Sequence, residues 1–279
     1  MRLSAFLLLT RKEFADAARS RWLAAFVLGF GLMGIGLVLI GSWGDSLSGR
    51  LGFGRTTAAL LNLVLLLVPL MALVSGSLSV AGERERGTLA FLLSLPFEPA
   101  EVFWAKFAGL GAALASALGL AFGTLGLFLA FGGGMRDAAT YGYFFAITLM
   151  LAAVCLALGL LVSVRAQKSS QAAGVAVLVW LMLVFGGDLG LMGAAVAMRI
   201  APMALLALAW LNPLSLYRLS AIDAAASGLD VLGPAGRCAQ DVLGAWLRPA
   251  ALAGLSAWLA AVLAVAYTGY CKSPLGARR

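Results

Sequence analysis

Few residues of this sequence are of a type that could bind a ligand or react, and most of them lie in one short stretch. Residues Gly82–Thr88 read GERERGT and place four charges of alternating sign directly after a long uncharged apolar run. The two glycines have the spacing of the phosphate-binding loop GxxxxGK[ST], but Thr88 stands where that loop needs its lysine. Without this lysine the phosphates lose their positive partner, so we predict that this chain does not hydrolyse ATP itself.

Two interpretations of this charged stretch remain open. The apolar run that follows Thr88 ends at Pro96, and it is too short to cross a bilayer. It therefore indicates a short helix on the membrane surface, with Thr88 as its N-cap. A charged turn and short helix of this kind can transmit force from a soluble protein to the membrane helices. The other interpretation is an ordinary charged loop that marks the edge of the membrane.

Asp188 is the one acidic residue inside a predicted span, and a carboxylate there is a candidate polar site. The sequence around it resembles the GxGD sequence of intramembrane aspartyl proteases. That chemistry needs two carboxylates sharing a proton, and no other span carries a second one. A solvated aspartate at the end of the span is the alternative. Nearby methionines suit either Cu(I) binding or simple packing; they are Met182, Met192, Met198 and Met203.

The chain contains no histidine and only three cysteines, Cys155, Cys238 and Cys271, which are far apart in sequence. The lack of histidine removes the Ser-His-Asp triad and the commonest ligand of transition metals. Cysteines without a CxxC pair predict neither a zinc site nor a disulfide framework. We therefore expect no catalytic, cofactor or metal site in this chain.

The elements that hold these residues are membrane helices. Of the 279 residues, 62% are hydrophobic and 11% are charged, whereas about 25% are charged in a typical soluble domain. A water-soluble fold is excluded. Uncharged runs long enough to cross a bilayer, which takes about 20 residues, predict an all-α polytopic protein with one transmembrane domain over residues 1–279. The six predicted spans are 22–44, 56–82, 107–135, 138–164, 169–198 and 249–271.

The basic residues predict how the chain is oriented. With a cytoplasmic N-terminus, thirteen lysines and arginines fall on the inner side and only three, Arg50, Arg55 and Arg136, in the short outer loops. This asymmetry predicts that both termini are cytoplasmic. The net charge of +8 comes from residues that flank apolar runs, where they contact anionic lipid headgroups. We expect membrane lipid as a partner and no nucleic acid.

Two segments outside the spans have enough apolar residues to form surface helices. Leu3–Arg21 mixes apolar and charged residues and predicts a helix along the inner membrane surface. A basic leader that only enforces the orientation is the alternative. Ile200–Leu211 is apolar but too short to cross, and it is bracketed by Pro202 and Pro213. It predicts short outer helices between spans five and six.

These features together resemble the permease subunits of type-two ABC exporters. The residues that carry the resemblance are Arg11-Lys12-Glu13, the run GERERGTL from Gly82, Ser94-Leu95-Pro96, Lys106 and the order of the six spans. A narrower resemblance is to the NosY-type permeases, which belong to the maturation machinery of nitrous oxide reductase. It rests on Leu51-Gly52-Phe53, Pro69-Leu70, Lys168-Ser169-Ser170, Leu211-Asn212-Pro213 and Tyr217-Arg218.

The resemblance implies a permease subunit in the inner membrane of a bacterium that is not itself an enzyme. It implies a second copy of the chain, a separate cytosolic ABC ATPase that uses the ATP and, in the NosY case, a periplasmic copper-handling partner for copper-site maturation. By position, the helix after Glu83 would be the coupling helix. The residues that would contact the ATPase are Glu83, Arg84, Glu85, Arg86, Gly87 and Thr88.

Absence of histidine argues against simple passage of copper and leaves open a sulfur species or mechanical action on the periplasmic partner. A second function stays open beside the permease. A membrane anchor or assembly factor, which docks a periplasmic protein and transports nothing, fits the same spans and the long outer segment.

Overall fold

A computed structural model of the chain describes residues 3–48, 53–88, 98–131, 138–197, 202–224 and 240–272. All regular structure in these ranges is helical, which confirms the predicted all-α class. The helices are α1 (Leu3–Ala18), α2 (Arg21–Ser48), α3 (Phe53–Glu85), α4 (Pro99–Phe131), α5 (Ala138–Arg165), α6 (Ser169–Ala197), α7 (Pro202–Trp210), α8 (Pro213–Ala224) and α9 (Leu247–Lys272).

Among the described residues, five helices are long and apolar enough to cross a membrane, namely α3, α4, α5, α6 and α9. A sixth crossing is offered by α1 and α2 together, because Phe6–Ala18 and Arg21–Leu37 pass the same test as a pair bent by 60°. At this bend Leu23 N donates to Ser20 Oγ at 3.2 Å. Ser20 thereby satisfies a backbone N–H at the start of α2 and separates the two helices.

Two helices extend farther into charged sequence than the apolar runs predict. α3 continues to Glu85, so the charges after the second span form its last turn rather than a loop. α4 begins at Pro99, so Lys106 lies inside the helix instead of at its start. The first turn of α4 is capped by Glu101, whose Oε2 accepts from Glu98 N at 3.3 Å. This cap helps α4 to begin before its apolar stretch.

The closest helix pair is α3 and α5, whose backbones touch at two glycines. A Cβ added to Gly159 would lie 2.4 Å from Leu73 O, and one added to Gly76 would lie 2.6 Å from Leu156 O. Neither position has room for a side chain. Small residues allow helices to approach in this way, which brings many buried atoms into contact.

α1 packs closely against α4 at a third glycine, Gly109. A Cβ added to Gly109 would lie 2.6 Å from Glu13 Cβ and 2.8 Å from Thr10 O. The opposite side of α1 exposes Leu7 and Leu8. One face of α1 thus packs against the bundle, and the other exposes apolar side chains.

The short helices α7 and α8 are fixed to α6 by Asn212, which lies between them. Its Oδ1 accepts from Leu214 N at 2.9 Å and caps α8, while its Nδ2 donates to Leu183 O at 2.7 Å. Gly187 makes this approach possible, because a Cβ there would lie 2.6 Å from Asn212 Nδ2. Pro213 follows at the first helical position, where its missing N–H costs nothing.

The same end of the bundle holds further polar contacts between helices. The Tyr217 hydroxyl lies 3.1 Å from Thr148 Oγ1, which links α8 to α5. Arg248 Nε donates to Asp223 Oδ2 at 2.7 Å and links α9 to α8. The guanidinium of Arg248 also lies 5.8 Å from the ring centre of Tyr143. α8 is therefore attached to the bundle at its start, its middle and its end, through Asn212, Tyr217 and Asp223.

Candidate functional site

The predicted site lies at the end of α3, in a segment that we call the elbow, residues Gly82–Thr88. Its first three charged residues are Glu83, Arg84 and Glu85, and they form the last helical turn. Successive residues of an α-helix point about 100° apart, since one turn takes 3.6 residues. The three side chains accordingly reach three different parts of the protein.

Glu83 takes part in a closed ring of ion pairs with Lys12, Glu13 and Lys106, which we call the charge square. Lys106 Nζ lies 2.8 Å from Glu83 Oε1 and 3.1 Å from Glu13 Oε1. Lys12 Nζ lies 3.0 Å from Glu13 Oε1 and 3.3 Å from Glu83 Oε1. Two positive and two negative charges cancel, which makes their burial tolerable. The square joins α1, α3 and α4.

Three of the four residues of the charge square are buried. Lys106 is 1% exposed, and Glu13 and Glu83 are each 7% exposed, while Lys12 is half-exposed. Burial raises the pKa of Glu13, but Lys106 and Lys12 outweigh it and hold that pKa below its ordinary value. Burial lowers the pKa of Lys12, and Glu13 and Glu83 outweigh it and raise that pKa. Both groups are charged at neutral pH.

Arg84 and Glu85 hold the two sides of the turn between α5 and α6. The Arg84 guanidinium donates to Ala166 O, and to Val164 O at 3.3 Å, at the C-terminal end of α5. Glu85 Oε2 accepts from Ser169 N at 2.9 Å and from the Ser169 hydroxyl, at the N-terminal end of α6. A cation at a helix C-terminus and an anion at an N-terminus are both favourable, because they oppose the helix dipoles.

The remaining residues of the elbow end α3 and face outward. Gly87 has φ of 73°, a left-handed conformation that suits glycine and turns the chain away from the helix. Thr88 Oγ1 donates to Glu83 O at 3.2 Å and satisfies one of the last carbonyls of α3. The side chains of Glu85, Arg86 and Thr88 are exposed. The predicted coupling helix after them falls in residues 89–97, outside the described part of the chain.

Comparison with known proteins decides the family. A profile of ABC-2 family transporter proteins matches residues 7–275. The chain belongs to the ABC-2 transporter family. It is similar to the probable ABC transporter permease protein NosY of Pseudomonas aeruginosa, with 35% identity over 279 residues that cover 96% of this chain and 98% of the relative. It is also similar to the protein of that name from Stutzerimonas stutzeri, with 34% identity over 272 residues that cover 93% and 95%.

Family and helices together identify an ABC transporter permease, a multi-pass protein of the bacterial inner membrane. In this ABC-2 permease the predicted ATPase-contact residues separate into two groups. Glu83 and Arg84 turn inward to neighbouring helices, whereas the side chains from Glu85 onward are exposed. Their contact with an ATPase stays a prediction.

Asp188 is not part of the elbow. It lies in α6 well beyond Ser169, roughly 28 Å along the helix at 1.5 Å per residue, and its side chain lies outside the described part. Met182 and Met203 are both exposed, and the side chains of Met192 and Met198 also lie outside that part. Among the residues that the structure describes, no group of three or more His, Cys, Asp or Glu side chains could hold a metal ion.

The sequence predicts no structural role for Glu13 or Lys106, although both residues carry the resemblance to the family. The available signal was Lys106 itself, a lone lysine between Ala105 and Phe107 in an apolar helix. A buried lysine needs an acidic partner. Its partners could not be chosen, however, because several acids lie at the same predicted membrane depth and they come from different helices.

Proposed function

We propose that this permease turns ATP-driven closure of a separate cytosolic ATPase into movement of its membrane helices, with the elbow in the cytosol. The observation that supports this role is the set of contacts made by Glu83, Arg84 and Glu85. They connect the end of α3 to α1 and α4, to α5 and to α6 respectively. A force on the elbow therefore reaches four other helices through charged contacts.

The ATPase contact is assigned to the exposed side of the elbow and to the coupling helix that follows it. Arg86, Gly87 and Thr88 offer a cation, a sharp turn and a hydroxyl to a partner. ATP can shift the permease between two states only if the ATPase binds those states differently. The ATPase provides that difference, since this chain lacks the phosphate-binding lysine of a nucleotide site.

A second copy of the chain is proposed to pack on α4. Added Cβ atoms at Gly119 and Gly123 would meet nothing within 4 Å. Leu120 and Leu127, on the same side of the helix, are exposed. A face of small and apolar residues suits close contact between membrane helices, and a homodimer would present two elbows to two ATPase subunits.

The role in copper-site maturation of nitrous oxide reductase is proposed from the resemblance to NosY-type permeases and from the name of the two relatives. We place α7 and α8 on the periplasmic side with both termini in the cytoplasm. These helices would form the platform for a copper-handling partner. Because the chain has no histidine, mechanical action on that partner, or export of a sulfur species, fits better than passage of copper.

Purification in mild detergent from its own host tests the coupling role. The permease should bring a cytosolic ATPase with it, and the complex should hydrolyse ATP faster than the ATPase alone. Arg86→Glu should lower both the amount of bound ATPase and this stimulation at least fivefold. Lys272→Glu, the same charge reversal at an exposed lysine at the end of α9, should leave both within twofold. Equal behaviour of the two variants would remove the elbow from the contact.

Cysteine labelling tests the orientation. In a variant without its three native cysteines, Arg86→Cys should react with a membrane-impermeant maleimide only after the cytoplasmic side is opened. Leu211→Cys, which is also exposed, should react from the periplasm. Labelling of both positions from one side would contradict the proposed topology.

A membrane anchor that only docks a periplasmic protein is the second candidate, and the firm attachment of α7 and α8 favours it equally. Such an anchor would purify without an ATPase. A strain that lacks this chain should make nitrous oxide reductase with depleted copper sites. An ATPase-dead strain separates the candidates, because the enzyme should fill its copper sites there only if the chain is an anchor.

A further inference from the structure

Glu83 uses only one of its two carboxylate oxygens. Its Oε1 accepts both Lys12 and Lys106, whereas its Oε2 is buried and has no hydrogen-bond partner among the described residues. A buried carboxylate oxygen without a donor is unfavourable, since it has lost water and gained nothing. The arrangement therefore places an unused acceptor next to the one that both lysines share.

The helices around the charge square are not equally free to make that shift. α1 and α4 touch through their backbones at Gly109, so they move together. Between α1 and the end of α3, by contrast, a cavity of about 720 Å³ opens beside the square. It is lined by Lys12, Glu83, Arg86 and Leu110, among others. The contact with room to change is thus the one between the end of α3 and the α1–α4 pair.

We infer that the charge square is a sliding joint, in which Lys106 passes from Oε1 to Oε2 of Glu83 as ATP-driven force moves the elbow past α1 and α4. The exchange keeps a buried ammonium paired throughout, so the helices move without exposing an isolated charge. Lys106 and Glu83 are positioning residues in this role, and they touch neither nucleotide nor cargo. The inference rests on the proposed coupling to an ATPase.

Two substitutions distinguish a charge square that rearranges during ATP hydrolysis from one that only stabilises the fold. Glu83→Gln and Glu13→Gln each remove one negative charge from the square and leave an amide oxygen for both lysines. Only Glu83→Gln replaces the second acceptor of the elbow with an amide donor. In the purified permease–ATPase complex, Glu83→Gln should lower the kcat of stimulated ATP hydrolysis at least tenfold, with the KM for ATP within twofold. Glu13→Gln should lower kcat less than threefold, and Lys272→Met should change neither.

Each outcome of this comparison has a definite meaning. Selective loss of kcat in assembled Glu83→Gln supports the joint. Equal loss in both amide variants, wild-type kcat in Glu83→Gln, or failure of that variant to assemble overturns it, because each shows a square that only holds the fold. A wild-type chain that binds no ATPase contradicts the proposed function itself, before any variant is compared.

Discussion

The ammonium of Lys106 lies 2.8 Å from Glu83 Oε1, and both side chains are almost completely withdrawn from solvent. Lys106 lies about two turns after the start of α4. Glu83 lies in the last turn of α3. Glu13 of α1 completes the contact. Three separate stretches of sequence thus meet in one buried ion-pair cluster at the elbow end of the bundle, which makes its members sensitive to substitution.

Removal of the Lys106 ammonium should destabilise the protein. Lys106→Met keeps most of the side-chain volume but leaves Glu13 and Glu83 with only Lys12 between them, and loss of one partner from a buried ion pair costs about 3–5 kcal/mol. Thermal unfolding in detergent should occur at a clearly lower temperature. Lys272→Met is the control, since that lysine is exposed. An unchanged unfolding temperature in Lys106→Met would mean that the square adds little to stability.

The stabilising effect of Glu13 should depend on pH. Its pKa in the folded protein lies below the ordinary value of 4.5, so its contribution is complete above that value and disappears as the pH falls through the folded pKa. The difference in unfolding temperature between wild type and Glu13→Gln should therefore be constant near neutral pH and shrink below about pH 4.5. A difference that grows on acidification would show that the acid is not held in its charged form.

A methyl group at Gly159 should disturb the bundle more than one elsewhere in the same helix. The added Cβ would lie 2.4 Å from Leu73 O, and overpacking of this kind costs about 1–3 kcal/mol. Gly142→Ala is the matched control in α5, because its Cβ meets nothing within 4 Å. Thermal unfolding and the yield of monodisperse protein compare the two variants. Equal tolerance of both alanines would contradict the close crossing of α3 and α5.

Asn212 should be sensitive in two separable ways. Asn212→Asp keeps the oxygen that caps α8 but replaces the donor to Leu183 O with a carboxylate oxygen, which the carbonyl repels. Asn212→Ala loses both contacts. We expect a loss of about 1 kcal/mol for the cap and a comparable further loss for the second hydrogen bond. Hydrogen exchange should rise in α8 for the alanine variant and less for the aspartate. Identical exchange in both would show that only the bond to Leu183 matters.

The membrane helices could be predicted from sequence because the bilayer imposes a length and a composition on each of them. The runs of uncharged residues coincide closely with α5, α6 and α9. The ends of α3 and α4 were predicted too short, since hydropathy stops at the first charge, whereas a helix stops where its backbone groups find other partners. Arg84 and Glu101 show that charged residues can continue or begin a membrane helix.

The contacts of the candidate site could not be predicted from the sequence. The charged run predicts that Glu83–Arg86 lie at a membrane edge, but the direction of each side chain depends on which helices pack nearby. The partners of Glu83 lie on two other helices, at Lys12 of α1 and Lys106 of α4. Such pairings follow from the three-dimensional arrangement of α1, α3 and α4, and hydropathy contains no information about it.

The glycine contact between α3 and α5 also limits how this permease can change shape. Because backbone touches backbone at Gly76 and Gly159, the two helices have no layer of side chains that could re-pack and let one glide along the other. α3 and α5 therefore form a rigid pair at this crossing. We therefore expect helix movements in this permease to occur around the α3–α5 pair, with little displacement at the crossing point itself.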